Sequence, residues 1–287
     1  AGGPSAPGCA GHPADPCRAG DAVRGSFMDG NRKIAVELED GIIVESVFYG
    51  SGTLCLSSQA GCPLGCAFCA SGRTFFRNLS LEELWAQVER AKALGCDFRR
   101  LTLSGSGEPL LNWDVTRAFL AECRERGLEL SLTTTGRPLE RLEELLRLPH
   151  NGLMLSLHAG TAATYRRVLP EGPGFETLWA ALGRIWPELS RRSRRRVGIN
   201  YLLFSGLNDT AAELEELARR MASFPEATLH LLRYNPVGLA SFASPGEERR
   251  QEIYRALRAQ LPHVRRGNRW RGQCEGGCGT LLAAKSR

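Results

Sequence analysis

From Thr53 to Gln260 the chain alternates between short leucine-rich or β-branched stretches and longer amphipathic ones. That alternation restricts the fold more than any other feature. Thr53 to Ser57, Arg100 to Ser104, Glu129 to Thr133, Gly152 to Leu157, 197–204 and Thr228 to Tyr234 read as strands. Helices are expected from a Ser80 cap to about Gly95, and over 113–126, 138–148, 175–187, 210–223 and 246–260. Ser80 followed by Glu83 is a capping box. Strand–helix repeats of this kind build parallel sheets with right-handed crossovers. About six repeats are too few to close an eightfold barrel. The expected fold is therefore α/β, a partial (β/α)6 barrel. Ahead of it, Ile34-Ala35-Val36-Glu37-Leu38 and Ile42-Ile43-Val44 flank Asp40-Gly41. This pattern predicts a small N-terminal β-hairpin extension over Lys33 to Tyr49.

The chain divides accordingly. Residues 1–28, rich in Gly, Pro and Ala without periodicity, read as a flexible leader. Residues 29–50 form the small β extension, and 51–287 the barrel with a C-terminal segment that carries further cysteines. No apolar run reaches the length of a membrane span, and the N-terminus has no charged-then-apolar export pattern. A cytoplasmic protein with no membrane partner is expected. The formal net charge is +6, and Arg191, Arg192, Arg194, Arg195 and Arg196 crowd together, as do Arg265, Arg266, Arg269 and Arg271. Such groups fit a polyanion such as RNA, and they also fit solvated faces.

Ten cysteines in a chain with no export signal point to metal or redox chemistry rather than to disulfides. Cys62, Cys66 and Cys69 share one loop, Gly61-Cys62-Pro63-Leu64-Gly65-Cys66-Ala67-Phe68-Cys69, with C-x3-C-x2-C spacing. Cysteine thiolates hold iron–sulfur cubanes, usually four at a time, so three leave one iron open. The competing reading is structural zinc completed by Cys274 and Cys278. A second metal on Cys9, Cys17, Cys274 and Cys278 is a further alternative to ordinary thiols, and Cys96 and Cys123 read as core residues. Polar residues gather where strands end, which is where parallel α/β folds bind ligands. Gly105 and Gly107 leave room for backbone to approach a ligand, and Glu108 suits an ammonium. Thr133 offers a hydroxyl to a carboxylate, and Ser156 and His158 are spaced to share one face of a strand.

With Phe68 in the aromatic place, C-x3-C-x-aromatic-C resembles the radical S-adenosylmethionine (SAM) superfamily. The resemblance implies a [4Fe-4S] cluster on Cys62, Cys66 and Cys69 whose open iron binds S-adenosyl-L-methionine, reduced by a flavodoxin- or ferredoxin-type donor. The wider sequence, from about Asp29 to Ala283, resembles the RlmN/Cfr-type methyltransferases. The strings that carry this are Thr53-Leu54-Cys55-Leu56-Ser57-Ser58-Gln59, Arg77-Asn78-Leu79, Gly105-Ser106-Gly107-Glu108-Pro109-Leu110-Leu111-Asn112 and Ser156-Leu157-His158-Ala159. Gly206-Leu207-Asn208-Asp209, Asn235-Pro236 and Cys278-Gly279 continue them in the family's order.

That family methylates carbon 2 or carbon 8 of adenosine in rRNA, and some members a tRNA adenosine, through a methylated cysteine. By resemblance Cys278 is the methyl carrier, Cys55 the resolving cysteine and Glu45 the proton acceptor, while Phe68, Gly107, Glu108, Thr133, Ser156, Leu157, His158 and Asn235 bind SAM. The chain departs from the family at Ser106, where methionine is usual, at Arg233, at Glu171 and in the extra Cys274. These departures leave open an RlmN-like enzyme acting on a small molecule, nucleotide or peptide.

Overall fold

The computed structural model of the chain describes residues 30–237, 242–267, 270 and 279–285. The expected leader, with Cys9 and Cys17, lies outside the described residues, as do Cys274 and Cys278. Strands β1 (Arg32–Glu37) and β2 (Ile42–Tyr49) form the expected hairpin, with Ala35 opposite Glu45. β2 also pairs antiparallel with β3 (Thr53–Leu56), Val47 opposite Cys55, so the hairpin extends the main sheet. β4 (Gln59–Gly61) and β5 (Phe75–Asn78) pair as a separate two-stranded ribbon around the cysteine loop. The ribbon gives little sequence signal, because one of its strands is three residues long.

After β3 the main sheet continues in parallel through β6 (Arg100–Leu103), β7 (Glu129–Thr134), β8 (Gly152–Ser156), β9 (Val197–Leu203) and β10 (Thr228–Arg233). A short parallel strand, β11 (Val264–Arg266), follows at the edge, and β12 (Ala283–Lys285) returns antiparallel onto β2. The strand order β1-β2-β3-β6-β7-β8-β9-β10-β11 is open at both ends, a partial barrel as expected. The expected helices appear within a few residues as α1 (Leu81–Ala93), α2 (Trp113–Glu125), α3 (Leu139–Arg147), α5 (Phe175–Ile185), α7 (Ala211–Met221) and α8 (Glu247–Gln260). Short α4 (Ala162–Val168) and α6 (Arg191–Arg194) are additional. Ser80 and Glu83 exchange both capping-box bonds, at 2.8 and 3.2 Å.

Two faces of the sheet differ in chemistry. Leu54, Leu56, Leu101, Leu103, Leu130, Leu132, Leu153 and Leu155 are buried in the core shared with the helices. They meet helix stripes such as Leu84, Val88 and Ala91, or Leu142, Leu145 and Leu146, at the spacing of one helical face. Burying each leucine contributes about 1.5–3 kcal/mol. The alternate strand positions carry Cys55, Thr102, Ser131, Ser156, Asn200 and His230, aligned strand to strand as Cys55–Thr102–Ser131 and Ser156–Asn200–His230. Residues in register point the same way, so the inner face of the barrel is polar while the outer face is packed. That division makes the interior a site rather than a second core. No helix among the described residues is long and apolar enough to cross a membrane.

Candidate active site

The cysteine loop leaves β3 through β4 and returns on β5. Gly61 closes its base: its φ is +86°, and a Cβ there would lie 1.8 Å from the Thr74 carbonyl oxygen. Cys62 N donates to that same oxygen at 3.0 Å, and Ala67 N to Val168 O at 3.1 Å, which ties the loop to α4. Cys62, Cys66 and Cys69 stand on the wall of one cavity at the carboxyl ends of the strands. Burial pushes the Cys62 thiol up to about 12 and Cys66 well above its usual range, and the neighbouring sulfurs repel further charge. Thiols so placed ionise when a bound cation compensates them, so their chemistry fits an iron ligand set. Among the described residues no three His, Cys, Asp or Glu side chains are grouped to hold one metal ion. A cubane asks for no such grouping, since each thiolate takes its own iron, whereas a single zinc does. Phe68 stands edge-on to His158, with ring centroids 4.8 Å apart, and roofs the same cavity.

On the next strands the close approach expected at Gly107 is made by the protein itself. Its φ is +107°, and a Cβ would come within 2.7 Å of both Ser58 Oγ and Gln59 Cβ. Glu108 is buried and its carboxylate is filled. Oε1 accepts from Leu110 N (3.2 Å) and Thr134 Oγ1 (2.5 Å), while Oε2 accepts from Thr135 N and Thr135 Oγ1 (both 2.8 Å). Two carboxylate oxygens offer about four acceptor positions. Glu108 here bolts the end of β6 to the end of β7 and lines the same cavity. Burial raises its pKa and the four donors oppose that rise. Thr134 and Thr135 were not singled out from the sequence; the run Thr133-Thr134-Thr135-Gly136 at a strand end is the signal for them. Thr133 behaves differently, because its Oγ1 is buried on the cavity wall with no protein partner. An orphaned hydroxyl of this kind fits a bound carboxylate.

Ser156 lines the cavity, and so does Asn200 beside it in register, a residue missed from sequence. His158 also lines it, but not by strand alternation: β8 ends at Ser156 and His158 is left-handed, with φ +55°. Its Nδ1 accepts from Leu202 N at 3.0 Å, which puts the proton of the neutral ring on Nε2. Burial holds its pKa down to about 3. Leu157 is buried in the core and Asn235 is buried just past β10; neither is part of the cavity wall.

Cys55 Sγ lies 3.3 Å from Ser104 Oγ on that wall, in an apolar group with Val47, Tyr49 and Leu281. Glu45 is not on the wall. Its Oε2 accepts from Leu282 N at 2.8 Å and from Lys33 at 3.2 Å, fastening the C-terminal segment to β2. Cys278 lies outside the described residues, but the next residue, Gly279, lines the cavity and accepts from Ala70 N at 2.8 Å. Ser71 Oγ donates to Leu281 O at 2.6 Å.

The family model of the Radical SAM superfamily matches residues 56–221. A probable dual-specificity RNA methyltransferase RlmN of Chlorobium chlorochromatii is 31% identical over 271 residues, 89% of this chain and 74% of that protein. A probable RNA methyltransferase of Thiobacillus denitrificans is 36% identical over 265 residues, 89% of this chain and 71% of that protein. A solved radical SAM methyltransferase from Sphaerobacter thermophilus matches with a TM-score of 0.78 at 31% identity, covering 90% of this chain and 80% of that one. Sequence, fold and cavity chemistry agree, and the chain belongs to the radical SAM superfamily and, within it, to the RlmN/Cfr-type family, an enzyme whose cofactors are a [4Fe-4S] cluster and SAM.

Proposed function

We propose that the chain methylates an adenine carbon of RNA, carbon 2 or carbon 8, by way of a methylated Cys278. The observation that carries this is the meeting of Cys55, the three loop cysteines and Gly279, the neighbour of Cys278, on one cavity wall. Bound there, the cluster and SAM supply a radical able to take a hydrogen atom from an S-methyl group. An adenine carbon at these positions is electrophilic and resists ordinary nucleophilic methylation, so a methyl group staged on a cysteine answers a real chemical need.

The residues divide the work. The free Thr133 hydroxyl binds the carboxylate of SAM, and Ser156 and Asn200 face its nucleoside across the barrel. Phe68 and the neutral His158 ring cover the site and keep water from the reacting carbon. Cys278 carries the methyl group and Cys55 releases it. Glu45 on β2 is the proton acceptor of this reading; its Oε2 accepts from the amide of Leu282, four residues after the methyl carrier in the chain. The relatives above are named as RNA methyltransferases, and a net charge of +6 suits a polyanionic substrate. Electrons come from a flavodoxin- or ferredoxin-type donor.

The test is the mass of the Cys278 peptide after anaerobic incubation with methyl-labelled SAM and reductant, followed by addition of rRNA or tRNA. A labelled one-carbon gain on Cys278, and then labelled methyladenosine in the RNA, is expected. An unmodified Cys278 in protein that still cleaves SAM overturns the proposal.

A further inference from the structure

We infer that Ser104 is a positioning residue for Cys55: its hydroxyl, oriented by Thr102, holds the Cys55 sulfur at the cavity wall for release of the methyl group. The inference rests on the reading of Cys55 as the resolving cysteine.

The geometry begins with the sheet. β3 and β6 are parallel neighbours, with Cys55 in register with Thr102. Ser104 follows Thr102 by two residues, so both side chains reach the inner face beside Cys55. Cys55 Sγ and Ser104 Oγ are 3.3 Å apart, within range for a sulfur hydrogen bond. Thr102 Oγ1, nearly fully buried, donates to Ser104 Oγ at 3.2 Å. With Thr102 donating to its oxygen, the Ser104 proton is directed toward sulfur. A serine oxygen also has two lone pairs, so the same contact survives when Cys55 is a thiol and donates instead. A hydroxyl therefore suits a residue that must pass between thiol and thiolate.

The surroundings give that contact weight. Val47, Tyr49 and Leu281 pack around Cys55 as an apolar group. Apolar burial disfavours an ionised sulfur, and a hydroxyl donor beside it supplies charge support and aim.

The step itself balances. The Cys55 thiolate attacks the Cys278 sulfur of the thioether that joins Cys278, through a methylene, to adenine. A sulfur–sulfur bond forms and the sulfur–methylene bond breaks. Its electron pair stays on carbon, and a proton completes the methyl group. The resulting disulfide is reset by a dithiol reductant. Sulfur is oxidised by two electrons and carbon is reduced by two.

The test uses the full chain, reconstituted, with Ser104→Ala and Ser104→Thr. Denaturing gels separate the covalent protein–RNA adduct from released methylated RNA, and SAM cleavage without RNA reports an intact cofactor site. Ser104→Ala is expected to form adduct at the wild-type rate but release it about tenfold more slowly, as loss of a hydrogen bond to a charged group implies. Ser104→Thr, which keeps the hydroxyl, is expected to restore release. Wild-type release by Ser104→Ala overturns the inference. So does a loss of adduct formation and SAM cleavage together, which would mark a merely structural serine. Absence of adduct and of methylated RNA from the wild-type protein instead overturns the underlying reading, and this inference with it.

Discussion

The two walls of the cavity differ in how they combine buried polar bonds with ring packing. On the β3, β6 and β7 wall, buried polar bonds join the loops. Ser106 N donates to Ser57 Oγ (2.9 Å), Glu108 N to Gln59 Oε1 (2.8 Å), and Asn112 Nδ2 to the carbonyls of Ser58 and Leu79 (2.9 and 2.8 Å). On the β8 to β10 wall, Asn208 accepts from Phe204 N (2.7 Å) and donates to the carbonyls of His158 and Leu202 (2.8 and 2.7 Å), and rings pack on one another as well. Phe204 stands 5.9 Å from Phe68, 5.2 Å from Tyr234 and 4.8 Å from Phe242. A buried polar mesh is directional and close to all-or-none, because removing one member strands its partners. Ring packing is graded, because each contact is small and the neighbours can settle. The mesh around Glu108 lies on the side of Cys55, and rings are added where a ligand needs to be covered.

The sharpest way to break this contrast is Glu108→Ala. It strands four donors at once: Leu110 N, Thr134 Oγ1, Thr135 N and Thr135 Oγ1. The expected loss is about 3–5 kcal/mol, the scale of a broken buried charged network. Denaturant unfolding of the protein measures it. A cost below about 1 kcal/mol would mean that the mesh is not what holds this wall.

Much of this was legible in the sequence, for reasons that can be stated. The strands and long helices were readable because their apolar periods are regular, as in Leu84, Val88 and Ala91. The cysteine loop was readable because its spacing is chemical rather than structural. What escaped was tertiary. The Glu108 carboxylate points into Thr134 and Thr135, which no local rule indicates, and Asn200 joins the cavity through its register with Ser156. His158 was assigned by alternation to a face it reaches by a left-handed turn. Glu45 was assigned by family role, while its visible contacts, Lys33 and Leu282 N, depend on the return of β12 to β2.

His158 sharpens the contrast from the aromatic side. Its folded pKa, about 3, is far below the unfolded value of 6.5, because burial disfavours the charged ring. Between those values the unfolded chain binds the extra proton, so stability rises with pH through the window. The full contribution is present above about pH 6.5 and is lost as pH falls toward 3. At pH 5 the loss from this ring is on the order of 2 kcal/mol. His150, held at about 4 by burial and by Arg196, adds to the same acid limb. His158→Asn tolerates the left-handed backbone and removes the titration. Stability followed from pH 7 to pH 4.5 is expected to fall less steeply in the variant, by about one proton's worth. An unchanged slope would mean that the ring is already charged, or not buried, in the folded protein.

Phe204→Leu carries the smallest expected effect and tests the graded half of the contrast. Phe204 is fully buried and touches Phe68, Tyr234 and Phe242, so a purely pairwise count would make it a keystone. Leucine keeps an apolar side chain of similar bulk and strands no donor or acceptor, since the backbone bond from Phe204 N to Asn208 Oδ1 (2.7 Å) is untouched. The expected cost is about 1 kcal/mol, the loss of ring edges without a large cavity. It should appear as a lower denaturant midpoint with an unchanged slope. A cost matching that of Glu108→Ala would show that the rings act as a cooperative unit as unforgiving as the polar mesh. A small cost leaves the walls as different in energetics as they are in chemistry, with the demanding one on the side where Cys55 and the cysteine loop are placed.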